Sequence, residues 1–223
     1  MTTIGIIGAG TVGSQIARAA IANGYSVVIA NSRGPHTLGR LIAELGPSAR
    51  AATAAEAAAA GDFAVIAAPL TLVNTMPVEE LAGKIVLDTN NYTLYRDGHF
   101  AVIDSGEKTI HELRQEQLPK SRVATAFTVI RATILLHRGR PAGASDRLAL
   151  PVSSDFPEAV ELVTRLNDQF GYDTVDGGPL SESWRFGPGT PAWRRADGTT
   201  YGGQGREDLV RNLKAAIRAR QEP

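Results

Sequence analysis

A glycine-rich stretch near the start of the sequence has the residue types and spacing for holding phosphate groups. Residues 8–13 read Gly-Ala-Gly-Thr-Val-Gly, which is the pattern G-x-G-x-x-G. The first glycine allows a tight turn, the second lets a pyrophosphate approach the backbone, and the third lets a helix pack closely on the preceding strand. The free N–H groups at the start of that helix favour an anion. The stretch therefore predicts a dinucleotide site that involves Gly8, Ala9, Gly10, Thr11, Val12 and Gly13.

The residues around this motif supply the context that a dinucleotide site requires. Residues 4–7 are a short apolar run typical of a buried parallel strand, and residues 14–23 have the apolar spacing of a helix. Asn23 and Gly24 end that helix, and residues 25–30 form a second apolar run. This strand–helix–strand order favours nucleotide binding over the alternative, a glycine-rich turn in a sheet protein that binds no nucleotide.

The end of the second predicted strand indicates which dinucleotide is bound. Proteins that bind NAD usually carry Asp or Glu here, which accepts hydrogen bonds from the ribose 2′-hydroxyl. This chain has Asn31, Ser32 and Arg33 instead. Arg33 can pair with a 2′-phosphate through charge-assisted hydrogen bonds, and Ser32 can donate its hydroxyl. These residues favour NADP(H) over NAD(H), and an ordinary solvated loop arginine is the alternative for Arg33.

Small or polar residues also follow two later predicted strands. Residues 63–68 form one strand, whose end (Ala67, Ala68 and Pro69) leaves room for a flat ring and its ribose at the sheet edge where ligands bind. A plain strand–helix turn explains the same residues equally well. Residues 84–88 form the next strand, and Asp88 and Asn90 at its end either line the site or cap a turn.

Composition excludes several classes of protein and site. The chain has 223 residues, of which 43% are hydrophobic, so it can bury a substantial core. It has 23 basic and 23 acidic residues, and the resulting zero net charge argues against nucleic acid or a membrane surface as a partner. It has no cysteine, so a disulfide framework, a thiolate metal site and a cysteine nucleophile are excluded. Its four histidines lack metal-ligand spacing, so we expect no metal. No signal peptide or membrane-spanning apolar run is visible, which favours a cytoplasmic protein.

The order of predicted elements indicates an α/β fold of the Rossmann type. We expect a doubly wound, mostly parallel sheet in an NADP-binding domain at 1–120, a smaller C-terminal α/β portion at 121–186, and a polar loop with a terminal helix at 187–223. Residues 94–106 are predicted to be an irregular loop, and residues 109–117 a polar helix with a solvated face. The terminal helix, residues 207–220, carries Leu209, Leu213 and Ile217 on one apolar face.

Several stretches together resemble the NADP-binding F420-dependent oxidoreductases, the F420H2:NADP reductase group. The resemblance rests on GIIGAGTVGS, VVIANSRGP, VIAAP, KIVLDTNN, VATAFTVIRA and VDGGPLSESWRFGPGTPAW, within residues 3–193. It implies NADP(H) at the residues named above, with the nicotinamide ribose near residues 67–69. It further implies that Thr128 and Val129 pack on the nicotinamide and deazaflavin rings, that Gly178, Pro179 and Leu180 lie near the deazaflavin, and that the chain forms a homodimer.

The acceptor side departs from that family. Thr128 and Val129 lead to Ile130 and Arg131 rather than to proline, and the C-terminal part is polar where the family is apolar. An anionic F420 requires cations, for which the candidates are Arg131, Arg138, Arg140 and Arg185, and Trp184 either walls a flat ring or belongs to the core.

The implied activity is hydride transfer between NADPH and a ring acceptor, coenzyme F420, by an enzyme in which no catalytic side chain stands out. Two alternatives stay open. One is an NADPH-dependent reductase of another small-molecule acceptor, such as a flavin, a quinone or a carbonyl compound. The other is an NADP(H)-sensing module without catalysis.

Overall fold

The structure is a computed structural model, and it describes residues 1–71, 76–193 and 203–217. Its main element is a six-stranded sheet in the order β3-β2-β1-β4-β5-β6, with all neighbouring strands parallel. This is the strand order of a Rossmann fold, in which the direction of winding reverses between β1 and β4. The strands are β1 (Thr3–Ile7), β2 (Ser26–Ala30), β3 (Ala49–Ala51), β4 (Phe63–Ile66), β5 (Ile85–Asp88) and β6 (Arg122–Thr125).

Helices cover this sheet because its strands are apolar on both faces. The first helix buries mostly small side chains, such as Ala17 and Ala20, and this lets it lie close to the sheet. Thr53 and Glu56 form the capping box expected from the spacing T-x-x-E at the start of α3. The helices in this part are α1 (Thr11–Ala22), α2 (Gly39–Leu45), α3 (Ala54–Ala60), α4 (Val78–Leu81), α5 (Leu94–Asp97), α6 (Ala101–Asp104) and α7 (Ile110–Gln117).

A second, three-stranded sheet follows in the order β8-β7-β9, with β7 and β8 parallel and β9 antiparallel to β7. Its elements are β7 (Leu148–Val152), α8 (Pro157–Gln169), β8 (Asp173–Asp176), a 3₁₀ helix (Leu180–Phe186), β9 (Gln204–Gly205) and α9 (Arg206–Ala215). An antiparallel bridge from Ala124 to Ser154 joins it to the edge strand β6, and one continuous cluster of buried side chains runs through both sheets. The predicted α/β fold with a small C-terminal α/β portion is confirmed.

The structure differs from the sequence-based predictions at three places. The predicted division after residue 120 stays a prediction, and β6 pairs with β5 across it. The segment predicted as an irregular loop contains the one-turn helices α5 and α6. Of the loop predicted at 187–205, residues 194–202 lie outside the described residues, and the last two residues form β9. The terminal helix ends at Ala215, so Ile217 is exposed, while Leu209 and Leu213 are buried as predicted.

Candidate functional site

The turn between β1 and α1 has the shape that a phosphate cradle requires. Gly8 has a φ of +112°, and a Cβ built on it would lie 2.3 Å from the carbonyl oxygen of Ala67. A Cβ on Gly13 would lie 1.8 Å from the carbonyl oxygen of Gly8, so the helix can approach the strand only with glycine there. At Gly10, by contrast, a Cβ would meet no atom within 4 Å. The first and third glycines therefore serve packing, and the second leaves open space.

That open space lies at the start of α1, where the backbone favours an anion. Gly10 is the N-cap residue, no side chain caps the helix, and its first turn has no acidic residue. The N–H groups of this turn and the positive end of the helix dipole can therefore act on a bound phosphate. Ala9, Thr11 and Val12 complete the turn and are partly or fully exposed. The open cradle and the uncapped helix fit the pyrophosphate of a dinucleotide.

The loop after β2 is ordered by Asn31 and presents two exposed polar side chains. Oδ1 of Asn31 accepts a hydrogen bond from the backbone N–H of Arg33 at 3.1 Å, and its amide donates to Oγ1 of Thr37 at 2.8 Å. Ser32 and Arg33 are exposed, and Arg33 has no ion-pair partner in the described part of the chain. Asn31 therefore shapes the loop, and the guanidinium of Arg33 is available to an anionic ligand.

The ends of β4 and β5 are tied together by side-chain hydrogen bonds. The amide of Asn90 donates to the carbonyl oxygen of Ala68 at 2.8 Å and to Oδ1 of Asp88 at 2.7 Å. Ala67 and Pro69 remain partly exposed beside Ala68. Asn90 is buried and engaged in these bonds, so it fixes the edge of the cleft rather than offering a free amide to a ligand. Of the two roles predicted for Asp88 and Asn90, the structure shows the fixing of a turn.

Asp88 is the centre of a buried ionic cluster that the sequence analysis did not identify. Nε of Arg114 and Nδ1 of His111 each lie 3.3 Å from Oδ2 of Asp88, and Arg114 also donates to the carbonyl oxygen of Ala68 at 3.2 Å. Asp88 and Arg114 are fully buried, and His111 is 3% exposed. Burial alone would raise the pKa of Asp88, but the charge of Arg114, with hydrogen bonds from His111 and Asn90, outweighs it and lowers the pKa to about 2.

Only part of the helix predicted at 109–117 faces solvent, since Glu116 is exposed whereas His111 and Arg114 are buried. α7 turns His111 and Arg114 inward because both lie on the same face, three residues apart, and Asp88 neutralises that face. A capping box between Thr109 and Glu112 fixes the start of the helix. The T-x-x-E spacing at Thr109, the same signal as at Thr53, is the sequence feature that could have positioned His111 and Arg114.

A cavity of about 290 Å³ lies on the other side of His111. It is bounded by α7, by the residues that follow β5, and by the 3₁₀ helix Leu180–Phe186 with the glycines after it. Its polar lining includes Asn91, Lys108, Thr109, His111 and Ser183, and Trp184 and Tyr92 contribute aromatic surface. Oγ of Ser183 is buried and has no hydrogen-bond partner in the described residues. The cavity therefore presents both flat apolar surface and unpaired polar groups.

The residues predicted for the acceptor side are not brought together. Trp184 lines the cavity, whereas Gly178 and Pro179 line a separate groove with Asp155 and Asp176. Leu180 is fully buried in a core cluster, and Arg131 is exposed before the 3₁₀ helix Ala132–Ile134. Two of the other predicted cations form ion pairs within the chain. Arg140 pairs with Asp146, and Arg185 pairs with Glu182 and also covers the ring of Trp184.

Thr128 and Val129 follow β6 and are buried. They come after Phe127, whose φ of 56° is unusual for a residue other than glycine and whose ring stacks on Phe170. The carbonyl oxygen of Thr128 accepts a hydrogen bond from Asn91 at 2.9 Å, and its hydroxyl has no partner among the described residues. This segment therefore closes the end of the cleft beyond β5 by its backbone.

Two further findings concern metals and membranes. In the described residues, no three His, Asp or Glu side chains come together so that they could hold a metal ion. No helix in the same residues has both the length and the apolar character needed to cross a membrane.

Comparison with known proteins agrees with this geometry. Residues 3–92 match the family model described as "NADP oxidoreductase coenzyme F420-dependent". A crystal structure of a "putative F420 dependent NADP-reductase" from Arthrobacter sp. FB24 is 25% identical, with a TM-score of 0.67 over 81% of this chain and 86% of the other. The hypothetical protein SMa0349 from Sinorhizobium meliloti is 29% identical, with a TM-score of 0.67 over 82% and 88% of the two chains.

More distant similarities cover less of the other protein. The "Putative protein YjhV" of Escherichia coli K12 is 39% identical over 70 residues, which are 31% of this chain and 51% of that protein, so the match spans about half of its length. An imine reductase from Myxococcus stipitatus in complex with NADP+ is 18% identical, with a TM-score of 0.55 over 81% of this chain and 56% of the other, and it shows the fold alone. The resemblance predicted from the sequence is thus confirmed over residues 3–92, which match the model of the F420-dependent NADP oxidoreductase family, and the chain has a Rossmann-type fold.

Proposed function

We propose that this protein transfers a hydride between NADPH and a ring acceptor, and that the acceptor is coenzyme F420. The observation that carries the nucleotide half is the open space at Gly10 beside an uncapped helix N-terminus. The family match over residues 3–92 and the similarity to the Arthrobacter protein support F420 as the acceptor. When bound, NADPH supplies the hydride, and the protein contributes binding, orientation and electrostatics.

The residues of the cleft divide this task. The backbone of residues 9–13 holds the pyrophosphate, and Ser32 and Arg33 hold the 2′-phosphate. Ala67, Ala68 and Pro69 leave space for the nicotinamide ribose, and Asn90 keeps this edge in place through its bond to Ala68. Three expectations stay predictions: the homodimer, the small-molecule acceptor and the cytoplasmic location. Sedimentation of the purified protein tests the homodimer.

The 2′-phosphate assignment is tested by replacing Arg33. We expect Arg33→Ala to weaken NADPH binding by about 10- to 100-fold, since a hydrogen bond to a charged group contributes about 1.5–3 kcal/mol. NADH has no 2′-phosphate, so its dissociation constant should change little. Calorimetric titration measures both constants. Arg211→Ala, which removes an exposed arginine paired with Asp208 on α9, is the control. An equal loss of affinity for NADPH and NADH would refute the assignment.

F420 as the acceptor is tested by mixing the protein with NADPH and F420 in a stopped-flow instrument. We expect the absorbance of the reduced nicotinamide and that of the oxidised deazaflavin to fall together. NADPH binding without loss of deazaflavin absorbance would contradict F420 as the acceptor. A flavin, quinone or carbonyl acceptor is the second candidate, and oxidation of NADPH by such a compound in place of F420 would support it.

A further inference from the structure

The imidazole of His111 lines the cavity beside α7, and Asp88 fixes its orientation from the side away from the cavity. Oδ2 of Asp88 lies 3.3 Å from Nδ1 of His111, and this carboxylate is ionised, so Nδ1 must carry the proton of that hydrogen bond. The hydroxyl of Thr109 donates to the carbonyl oxygen of Leu180 at 3.1 Å and so joins the start of α7 to the 3₁₀ helix across the cavity. Nε2 of His111 has no partner among the described residues, and the ring lines the cavity.

A second polar group faces the same space. Ser183 is 3% exposed, its Oγ has no hydrogen-bond partner in the described part of the chain, and it lines the cavity. A buried hydroxyl without a partner costs free energy, which a ligand with a hydrogen-bonding atom would recover. His111 and Ser183 together therefore indicate a ligand that carries an oxygen or a nitrogen atom at this depth.

The remaining lining defines the chemical class of that ligand. The described residues that line the cavity include no Asp or Glu, and Trp184 offers a flat aromatic surface. The volume of about 290 Å³ is roughly twice that of a cavity of about 150 Å³ that binds benzene. The cavity thus suits a planar compound of two or three fused rings, or the ring end of a larger one, with a conjugated carbonyl or ring nitrogen.

The cavity lies beside the edge of the proposed nucleotide cleft. Asp88 contacts His111 on the cavity side, while Asn90 links Asp88 to Ala68 on the cleft side. Ala68 belongs to the segment proposed to lie beside the nicotinamide ribose. Asn91, the residue after Asn90, lines the cavity, so a ligand beside Asn91 would lie next to this edge of the cleft.

We propose that this cavity is the acceptor site and that His111 is the proton donor of the reaction. The inference rests on the proposed hydride transfer and adds a catalytic residue and a substrate class to it. Reduced nicotinamide, the reductant, supplies the hydride to an electrophilic carbon of the conjugated acceptor. The π electrons move to the conjugated oxygen or nitrogen, and that atom takes the proton from Nε2 of the His111 imidazolium. The imidazole left behind recovers a proton from water, and Asp88 acts as a positioning residue.

The charged groups around His111 are paired with one another. Asp88 faces it from β5, Arg114 shares its helix, and Lys108, which pairs with Glu116, lines the same cavity. On the 3₁₀ helix, Glu182 and Arg185 pair with each other.

Binding is tested without nucleotide, by titrating the protein with a deazaflavin ring compound that lacks the charged F420 side chain. We expect quenching of tryptophan fluorescence that Trp193→Phe retains and Trp184→Phe loses, together with a shift of the His111 imidazole signals in NMR spectra. A compound that binds with no effect on Trp184 or His111 would overturn the assignment of the cavity.

The proton-donor role is tested with His111→Asn, whose amide can still donate to Asp88 but lacks Nε2. We expect reduction of the ring compound by NADPH to slow by on the order of 10²–10⁴-fold. His99→Asn, the same change in the exposed pair with Asp104, should retain the wild-type rate. Equal rates for His111→Asn and wild type would overturn the role of His111 and leave the proposed function standing. A wild-type protein that binds the compound but oxidises no NADPH with any acceptor would instead overturn the proposed function.

Discussion

Replacing Arg114 with methionine should strongly destabilise the protein, because it leaves the Asp88 carboxylate buried without its cation. Both side chains are fully buried, and Arg114 also donates to the carbonyl oxygen of Ala68. Removing one partner of a buried ion pair costs about 3–5 kcal/mol, since the remaining charge is uncompensated. We therefore expect the free energy of unfolding at neutral pH to fall by about 3–5 kcal/mol in Arg114→Met.

The stability deficit of Arg114→Met should depend on pH, which loss of packing alone would not produce. In the wild type, the pKa of Asp88 is lowered from 3.8 to about 2, so its contribution is fully present above pH 4 and is lost as pH falls from about 4 to about 2. This difference corresponds to about 2 kcal/mol. Without the charge of Arg114, the pKa of Asp88 should rise, and protonation then relieves the buried charge. The stability deficit of the variant should therefore narrow as pH falls from the raised pKa of Asp88 in the variant to about 2.

Urea unfolding followed by circular dichroism at several pH values measures this deficit. Arg18→Met is the matched control, because Arg18 pairs with Glu44 at 2.6 Å on the surface and such pairs contribute at most about 1 kcal/mol. The double variant Asp88→Asn, Arg114→Met removes both charges and should be more stable than Arg114→Met alone. A deficit below about 1 kcal/mol at neutral pH, or one that is the same at pH 7 and at pH 3, would refute this account.

Two further predictions concern other parts of the fold. Gly10→Ala should leave the melting temperature nearly unchanged but lower NADPH affinity at least tenfold, whereas Gly13→Ala should lower the melting temperature because its Cβ would lie 1.8 Å from the Gly8 carbonyl oxygen. Thermal melts and nucleotide titration measure both, and equal melting temperatures for the two variants would contradict the assignment of open and closed glycines. Tyr172 donates to the carbonyl oxygen of Leu135 at 2.6 Å, and burial raises its pKa to about 12, so Tyr172→Phe should remove the last tyrosine ionisation step in an ultraviolet absorbance titration. A step near pH 12 that persists in that variant would show that another tyrosine produces it.

The nucleotide half of the protein was predictable because its signals are local. The glycine spacing, the apolar strands around it and the T-x-x-E cap at Thr53 each act within a few residues, and the structure retains all of them. The choice of Arg33 over an acidic residue is equally local, and its role awaits the binding test. The pairing of distant strands has no such local signal, as for β6, whose partner strand β5 lies more than 30 residues earlier.

The ionic cluster was not predictable in the same way. Asp88 lies 23 residues before His111 and 26 before Arg114, and only the parallel packing of β5 beside α7 brings them together. A polar helix sequence indicates a solvated face unless a buried charge lies on the facing strand. Sequence periodicity carries no information about that charge. The predicted acceptor-side residues do not form one site for the same reason, since Leu180 is buried in a core cluster whereas Trp184, on the same short 3₁₀ helix, lines the cavity.

The three members of this cluster have different capacities to exchange protons. The guanidinium of Arg114 stays charged, and Asp88, with its pKa lowered to about 2, stays a carboxylate at neutral pH. Of the three, His111 carries the imidazole, the group that most often gives or takes a proton in catalysis, and its ring is the one that borders the cavity. The hydrogen bond from His111 helps to lower the pKa of Asp88, and the amide of His111→Asn can still donate to Asp88. Replacing His111 should therefore affect hydride transfer far more than unfolding, and the reverse result would identify the histidine as a packing residue.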